Sequence, residues 1–68
     1  MTDELTDDER RRLRHDLRAP LTIITGFAEL LASDKPITDV QRREYASRIQ
    51  SAGVELRTML DELLDRPA

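Results

Sequence analysis

The stretch that decides the fold is LRHDLRAPLTIITGFAELL, residues 13–31. Its positions Leu13, Leu17, Pro20, Ile24, Phe27 and Leu31 follow one another at intervals of 4, 3, 4, 3 and 4 residues. That alternation is the a/d seam of an amphipathic helix packed along another helix. The same spacing returns downstream in Tyr45, Ile49, Ala52, Leu56, Met59 and Leu63. The chain therefore reads as two helices with matched seams.

The helix ends are marked as clearly as the seams. Thr6 to Glu9 (TDDE) and Thr38 to Gln41 (TDVQ) are capping boxes, a hydroxyl at the cap and a carboxylate or amide three residues on. The acidic cluster Asp7, Asp8 and Glu9 suits the positive end of a helix dipole. Ser33 to Ile37 (SDKPI) is a short proline-containing loop, and Pro67 follows the second helix. The expected organisation is one unit over residues 1–68: a helix over about 7–32, a loop over 33–37 and a helix over about 39–65. A loop this short makes the helices antiparallel neighbours, an αα-hairpin.

A 68-residue chain buries little surface by itself. It has no cysteine for a disulfide, and one histidine alone makes no zinc site. Leu21, Ile23, Ala28, Leu30, Ala46 and Leu60 also flank the seams and widen the apolar stripes beyond a two-stranded contact. The expected fold class is all-α: an antiparallel helical hairpin that forms a four-helix bundle as a homodimer about a two-fold axis. The composition agrees, with 37 % charged and 3 % aromatic residues. A net charge of −3 argues against nucleic acid as the main partner. No apolar run approaches the roughly 20 residues of a membrane span. The acidic start is unlike a secretory signal, so a cytoplasmic setting is expected.

With Leu13 at a d position, His15, the single histidine, falls at f, farthest from the seam, and should face solvent. Arg11, Arg12, Arg18 and Ala19 are its helical neighbours, and Thr22 lies two turns on. An exposed imidazole offers an unprotonated nitrogen near neutral pH and is a competent nucleophile. Asp16 follows directly and is placed to hold the proton of the other ring nitrogen, although successive helical residues diverge by about 100°. Pairing of Asp16 with Arg12 is the competing arrangement. The arginines suit a phosphoryl group or an acidic partner; the plain alternative is a solvated basic face balanced by Asp7, Asp8 and Glu9.

Pro20 has no N–H, so the carbonyl of Asp16 loses its helical partner and the ring presses on that turn. The cost in a helix interior is roughly 3 kcal/mol. The seam runs unbroken through Leu13, Leu17 and Ile24, so the helix does not begin at the proline. The distortion falls on the turn of His15 and Asp16, and local flexibility is the expected gain.

His15, Asp16, Leu17, Arg18, Pro20, Leu21, Thr22, Ile24, Gly26 and Glu29 together resemble the H-box of sensor histidine kinases of two-component systems. The resemblance covers essentially the whole chain, more loosely in the second helix. It implies the dimerisation and histidine-phosphotransfer domain, with His15 as phosphoacceptor, Asp16 as orienting base, Pro20 as a bending point, and Arg18, Ala19 and Thr22 in support. Leu13, Leu17, Ile24, Phe27, Leu31, Tyr45, Ile49, Leu56, Met59 and Leu63 would form the core of the dimer. It also implies partners: an ATP-binding catalytic domain that supplies ATP and Mg, and a response-regulator receiver domain whose aspartate takes the phosphoryl group. No cofactor and no metal is expected on this chain itself.

Three departures qualify the resemblance. The 68 residues leave no room for an ATP-binding domain, so the chain alone is not expected to phosphorylate itself. Many relatives carry Thr or Asn four residues after the histidine to position water; here that residue is Ala19, which puts phosphatase activity in doubt. The residues before the histidine are usually apolar or small, whereas here Glu9 to Arg14 read ERRRLR after a capping box, so the helix is expected to start here. The alternative function is a non-catalytic dimeric helical module that binds or sequesters a kinase or response regulator. His15 discriminates the two, because an interaction module tolerates its loss.

Overall fold

A computed structural model describes residues 5–65. Two helices of 26 residues each, α1 (Asp7–Ala32) and α2 (Asp39–Leu64), run antiparallel and pack along their seams, with no strand among the described residues. The fold is an all-α helical hairpin. Pro67 and the terminal residues of the expected 1–68 unit lie outside the described residues.

Both capping boxes are closed. The Glu9 N–H donates to Thr6 Oγ1 at 3.1 Å, and the Thr6 N–H donates back to Glu9 Oε1 at 2.9 Å. At α2 the Gln41 N–H donates to Thr38 Oγ1 at 3.0 Å and the Thr38 N–H to Gln41 Oε1 at 2.9 Å. Each box satisfies a backbone donor that the helix start leaves unpaired. Ser33 ends α1 in extended backbone, its N–H reaching Leu30 O at 3.3 Å. The Ser33 hydroxyl then accepts from the Lys35 N–H at 3.1 Å, which tightens the turn before Pro36.

The ring pair Phe27–Tyr45, with centroids 5.3 Å apart and planes at 36°, locks the loop end of the hairpin. It also fixes the register. Pro20 lies seven residues before Phe27 and Ala52 seven after Tyr45, so the two sit at the same level across the seam. They are the buried residues of the described chain, Pro20 below 2 % exposed and Ala52 at 3 %. The rest of both seams, from Leu13 to Leu31 and from Tyr45 to Leu63, is half-buried.

The molecule measures 53 × 20 × 12 Å. Its smallest dimension is one helix diameter, so a hairpin alone encloses no core. The flanking residues Leu21, Ile23, Leu30 and Leu60 remain exposed, Leu21 at 46 % and Leu60 at 41 %. The helix runs through Pro20 without interruption, so the residues on either side of the proline share one seam. No helix among the described residues is long and apolar enough to cross a membrane.

Candidate functional site

Leu13 and Leu17 turn into the seam, and the residue midway between them lies some 200° away on the wheel. That residue is His15, and its side chain is 86 % exposed. The arrangement is a direct consequence of the 4-3 spacing. The face it shares with Arg11, Arg18, Ala19 and Thr22 is exposed throughout.

Asp16 reaches the histidine despite the divergence of successive helical positions. Its Oδ1 lies 3.5 Å from His15 Nδ1, at the outer limit of hydrogen bonding. Asp16 is 51 % exposed, so both side chains have rotamer freedom to close that distance. Nε2 of His15 makes no hydrogen bond among the described residues. A proton on Nδ1 facing the carboxylate leaves the Nε2 lone pair directed at solvent, the disposition a nucleophile needs. The competing Asp16–Arg12 pair is not formed.

Asp16 also belongs to the groove between the helices. One recess at the open end of the hairpin is lined by Leu5, Glu9, Arg12, Leu13, Asp16 and Leu63. An adjoining one brings Glu62 of α2 to the same place, with Leu13, Met59 and Leu63 as its apolar wall. Glu62 was not visible as a neighbour of Asp16 in the sequence. Finding it requires the inter-helix register, which the Phe27–Tyr45 pair sets and neither helix reveals alone.

Of the remaining candidates, Pro20 is turned inward and touches no solvent, while Ala19 beside it is exposed and presents only a methyl group. Arg18 is exposed and lies along a groove with Arg10, Arg14, Leu13, Leu17 and Leu21. Thr22 is exposed; its carbonyl accepts from Thr25 Oγ1 at 3.2 Å, and the same hydroxyl reaches Leu21 O at 3.0 Å. Such back-bonding tends to bend a helix, and here it follows the proline by one turn. No group of His, Cys, Asp or Glu among the described residues is arranged to hold a metal ion.

The family model of the His Kinase A (phospho-acceptor) domain matches residues 7–66. The cell-division control histidine kinase PdhS of Brucella ovis is 38 % identical over 56 residues, 79 % of this chain and 5 % of that protein. The PdhS proteins of Brucella suis and Brucella abortus match to the same extent. The chain thus spans a small fraction of the length of these relatives. No solved structure matches.

Proposed function

The chain belongs to the His Kinase A (phospho-acceptor) domain family, and on that premise we propose that His15 is the phosphoacceptor of a two-component histidine kinase. A separate catalytic domain, holding ATP and Mg, presents the γ-phosphate. The Nε2 lone pair attacks phosphorus while Asp16 holds the proton on Nδ1. The phosphoryl group then passes to an aspartate of a response-regulator receiver domain in the cytoplasm. The observation that carries this reading is the 86 % exposed imidazole with Asp16 Oδ1 at 3.5 Å from Nδ1 and an open Nε2.

The working unit is a homodimer. Two hairpins laid together cover Leu21 and Leu60 and turn two half-buried seams into a four-helix core. His15, on the face opposite the seam, stays outside that core. Arg18 and Thr22 frame it, Pro20 lets the turn before it flex, and Ala19 offers nothing to position a water for receiver dephosphorylation.

The test is transfer of label. The chain is mixed with radiolabelled ATP and a histidine-kinase catalytic domain, and a receiver domain is added afterwards. Acid-labile label is expected on the wild type and then on the receiver, and none on His15→Gln. A folded dimer that stays unlabelled with several catalytic domains makes the chain an interaction module instead.

A further inference from the structure

Residues 10–18 hold five arginines and one aspartate, in a chain whose net charge is −3. The phosphoacceptor role uses none of Arg10, Arg11, Arg12 or Arg14. Arg11 is engaged, its Nη1 lying 3.6 Å from Asp8 Oδ1. Arg10, Arg14 and Arg18 flank the groove over Leu13, Leu17 and Leu21, where long stems cover apolar surface. Arg12 is placed differently. It lines the recess that also holds Glu9 and Asp16, and it makes no ion pair among the described residues.

Arg12 precedes His15 by three residues and Asp16 by four. Those are the two spacings at which helical side chains meet. On the wheel Arg12 falls between them. Side chains on a helix lean toward its N-terminus, so His15 and Asp16 both lean toward the turn that carries Arg12, whose long stem folds back along the helix to meet a group there. Arg12 thus lies one turn from the imidazole and shares a recess with the carboxylate that faces it. Arg18, three residues after His15, leans back toward the same ring, but it lines the groove over Leu13, Leu17 and Leu21 with Arg10 and Arg14.

We infer that Arg12 is a phosphoryl-binding residue, whose guanidinium takes the oxygens of the phosphoryl group once His15 carries it. The inference rests on the phosphoacceptor reading of His15. In the transfer the Nε2 lone pair forms the P–N bond. The bond from phosphorus to the donor's leaving atom breaks, and its electron pair departs with the leaving group. The proton on Nδ1 stays facing Asp16. The product is a strongly anionic group on an exposed ring, and a planar fork of N–H donors is the side chain best shaped to meet it. Before transfer, Glu9 and Asp16 are the anions in reach of Arg12; after it, the phosphoryl group outcompetes them by charge.

A consequence is a longer-lived phosphohistidine. Loss of the group to water passes through a loose transition state resembling metaphosphate, in which negative charge leaves the phosphoryl oxygens. A guanidinium on those oxygens stabilises the ground state more than that transition state and slows the loss.

The test uses phosphoramidate, a small phosphoryl donor that needs no catalytic domain. The 68-residue chain, Arg12→Gln, Arg12→Lys and Arg18→Gln are phosphorylated, and the decay of the phosphohistidine signal is followed by phosphorus NMR at neutral pH. His15→Gln fixes the assignment of the signal, and circular dichroism checks that each variant is helical. Arg12→Gln is expected to shorten the lifetime about three- to tenfold, the range of an exposed but charge-assisted contact. Arg12→Lys should recover only part of it, because it keeps the charge and loses the fork, and about 1 M salt should erase the difference. A helical Arg12→Gln with the wild-type lifetime overturns the inference, as does a larger effect from Arg18→Gln. Phosphoramidate labels the ring whether or not a catalytic domain recognises the chain, so this result and the label-transfer result stand or fall separately.

Discussion

The two helices are alike in almost everything that makes a helix. Both have 26 residues, both open on a threonine capping box, and both carry the same 4-3 seam. They differ at one level. Where α1 has Pro20, α2 has Ala52 followed by Gly53, the smallest side chains on offer. The proline costs α1 a backbone hydrogen bond, and a rigid ring fills the seam there. Ala52 meets that level with a single methyl group, and α2 keeps its own ladder whole. α2 is the unbroken helix against which α1 is permitted a defect, and the defect lies five residues after His15. The outer face of α2 has no counterpart to that histidine. The chemistry is concentrated on the helix with the broken ladder.

The largest effect should come from disrupting the unbroken helix. Leu56 is half-buried in the α2 seam and faces the core of the proposed bundle. Leu56→Asp removes a core side chain and puts a charge in its place, at a cost of about 3–5 kcal/mol. For a domain this small that is most of the folding free energy. Light scattering and circular dichroism should show dissociation with loss of helix. An intact dimer would refute the seam register of α2.

The level of the proline is tested from both sides. Pro20→Ala restores an N–H for the Asp16 carbonyl and removes a helix breaker worth about 3 kcal/mol, less roughly 1–2 kcal/mol for the lost ring methylenes. The net gain should be about 1–2 kcal/mol, a Tm several degrees higher at fixed protein concentration, and phosphotransfer should slow. Ala52→Leu should instead overpack the seam and cost about 1–3 kcal/mol. Combined with Pro20→Ala it should cost less, because the ring it collides with is gone. Equal costs in the two backgrounds would mean that Pro20 and Ala52 do not meet. Unchanged transfer in Pro20→Ala would separate the proline from the chemistry.

The seams and the helix starts were legible in the sequence because each depends on residues within one helix. The spacing of Leu13, Leu17 and Ile24 is enough to place His15 outside, and Thr6 with Glu9 is enough to start α1. What the spacing could not supply depends on two elements at once. Glu62 beside Asp16 needs the inter-helix register. The exposure of Ile23, Leu30 and Leu60 in a single hairpin likewise depends on how the two helices pack and not on either seam alone. The approach of Asp16 to His15 ran against the divergence of neighbouring helical positions. Exposed side chains reorient about χ1 and χ2, and backbone direction alone does not describe them.

The smallest effect sharpens the comparison at the helix starts. Thr6→Ala and Thr38→Ala each remove a hydroxyl that accepts from a backbone N–H, at 3.1 Å and 3.0 Å. The general cost of such a loss is about 0.5–2 kcal/mol. The two caps are chemically equal but differently placed. Thr38 stands in the six-residue connection between α1 and α2, so a frayed α2 start loosens the loop that holds both helices. Thr6 opens α1 at the end far from that connection, where fraying releases only the first turn. Thermal unfolding should therefore place Thr38→Ala below Thr6→Ala, by roughly 0.5 kcal/mol. The order should invert for the phosphohistidine. The first turn of α1 carries Glu9, and the recess that Glu9 shares with Arg12 opens when that turn frays. Thr6→Ala should then shorten the phosphohistidine lifetime while Thr38→Ala leaves it unchanged. Equal lifetimes in the two variants would mean that Arg12 works without the turn beneath it.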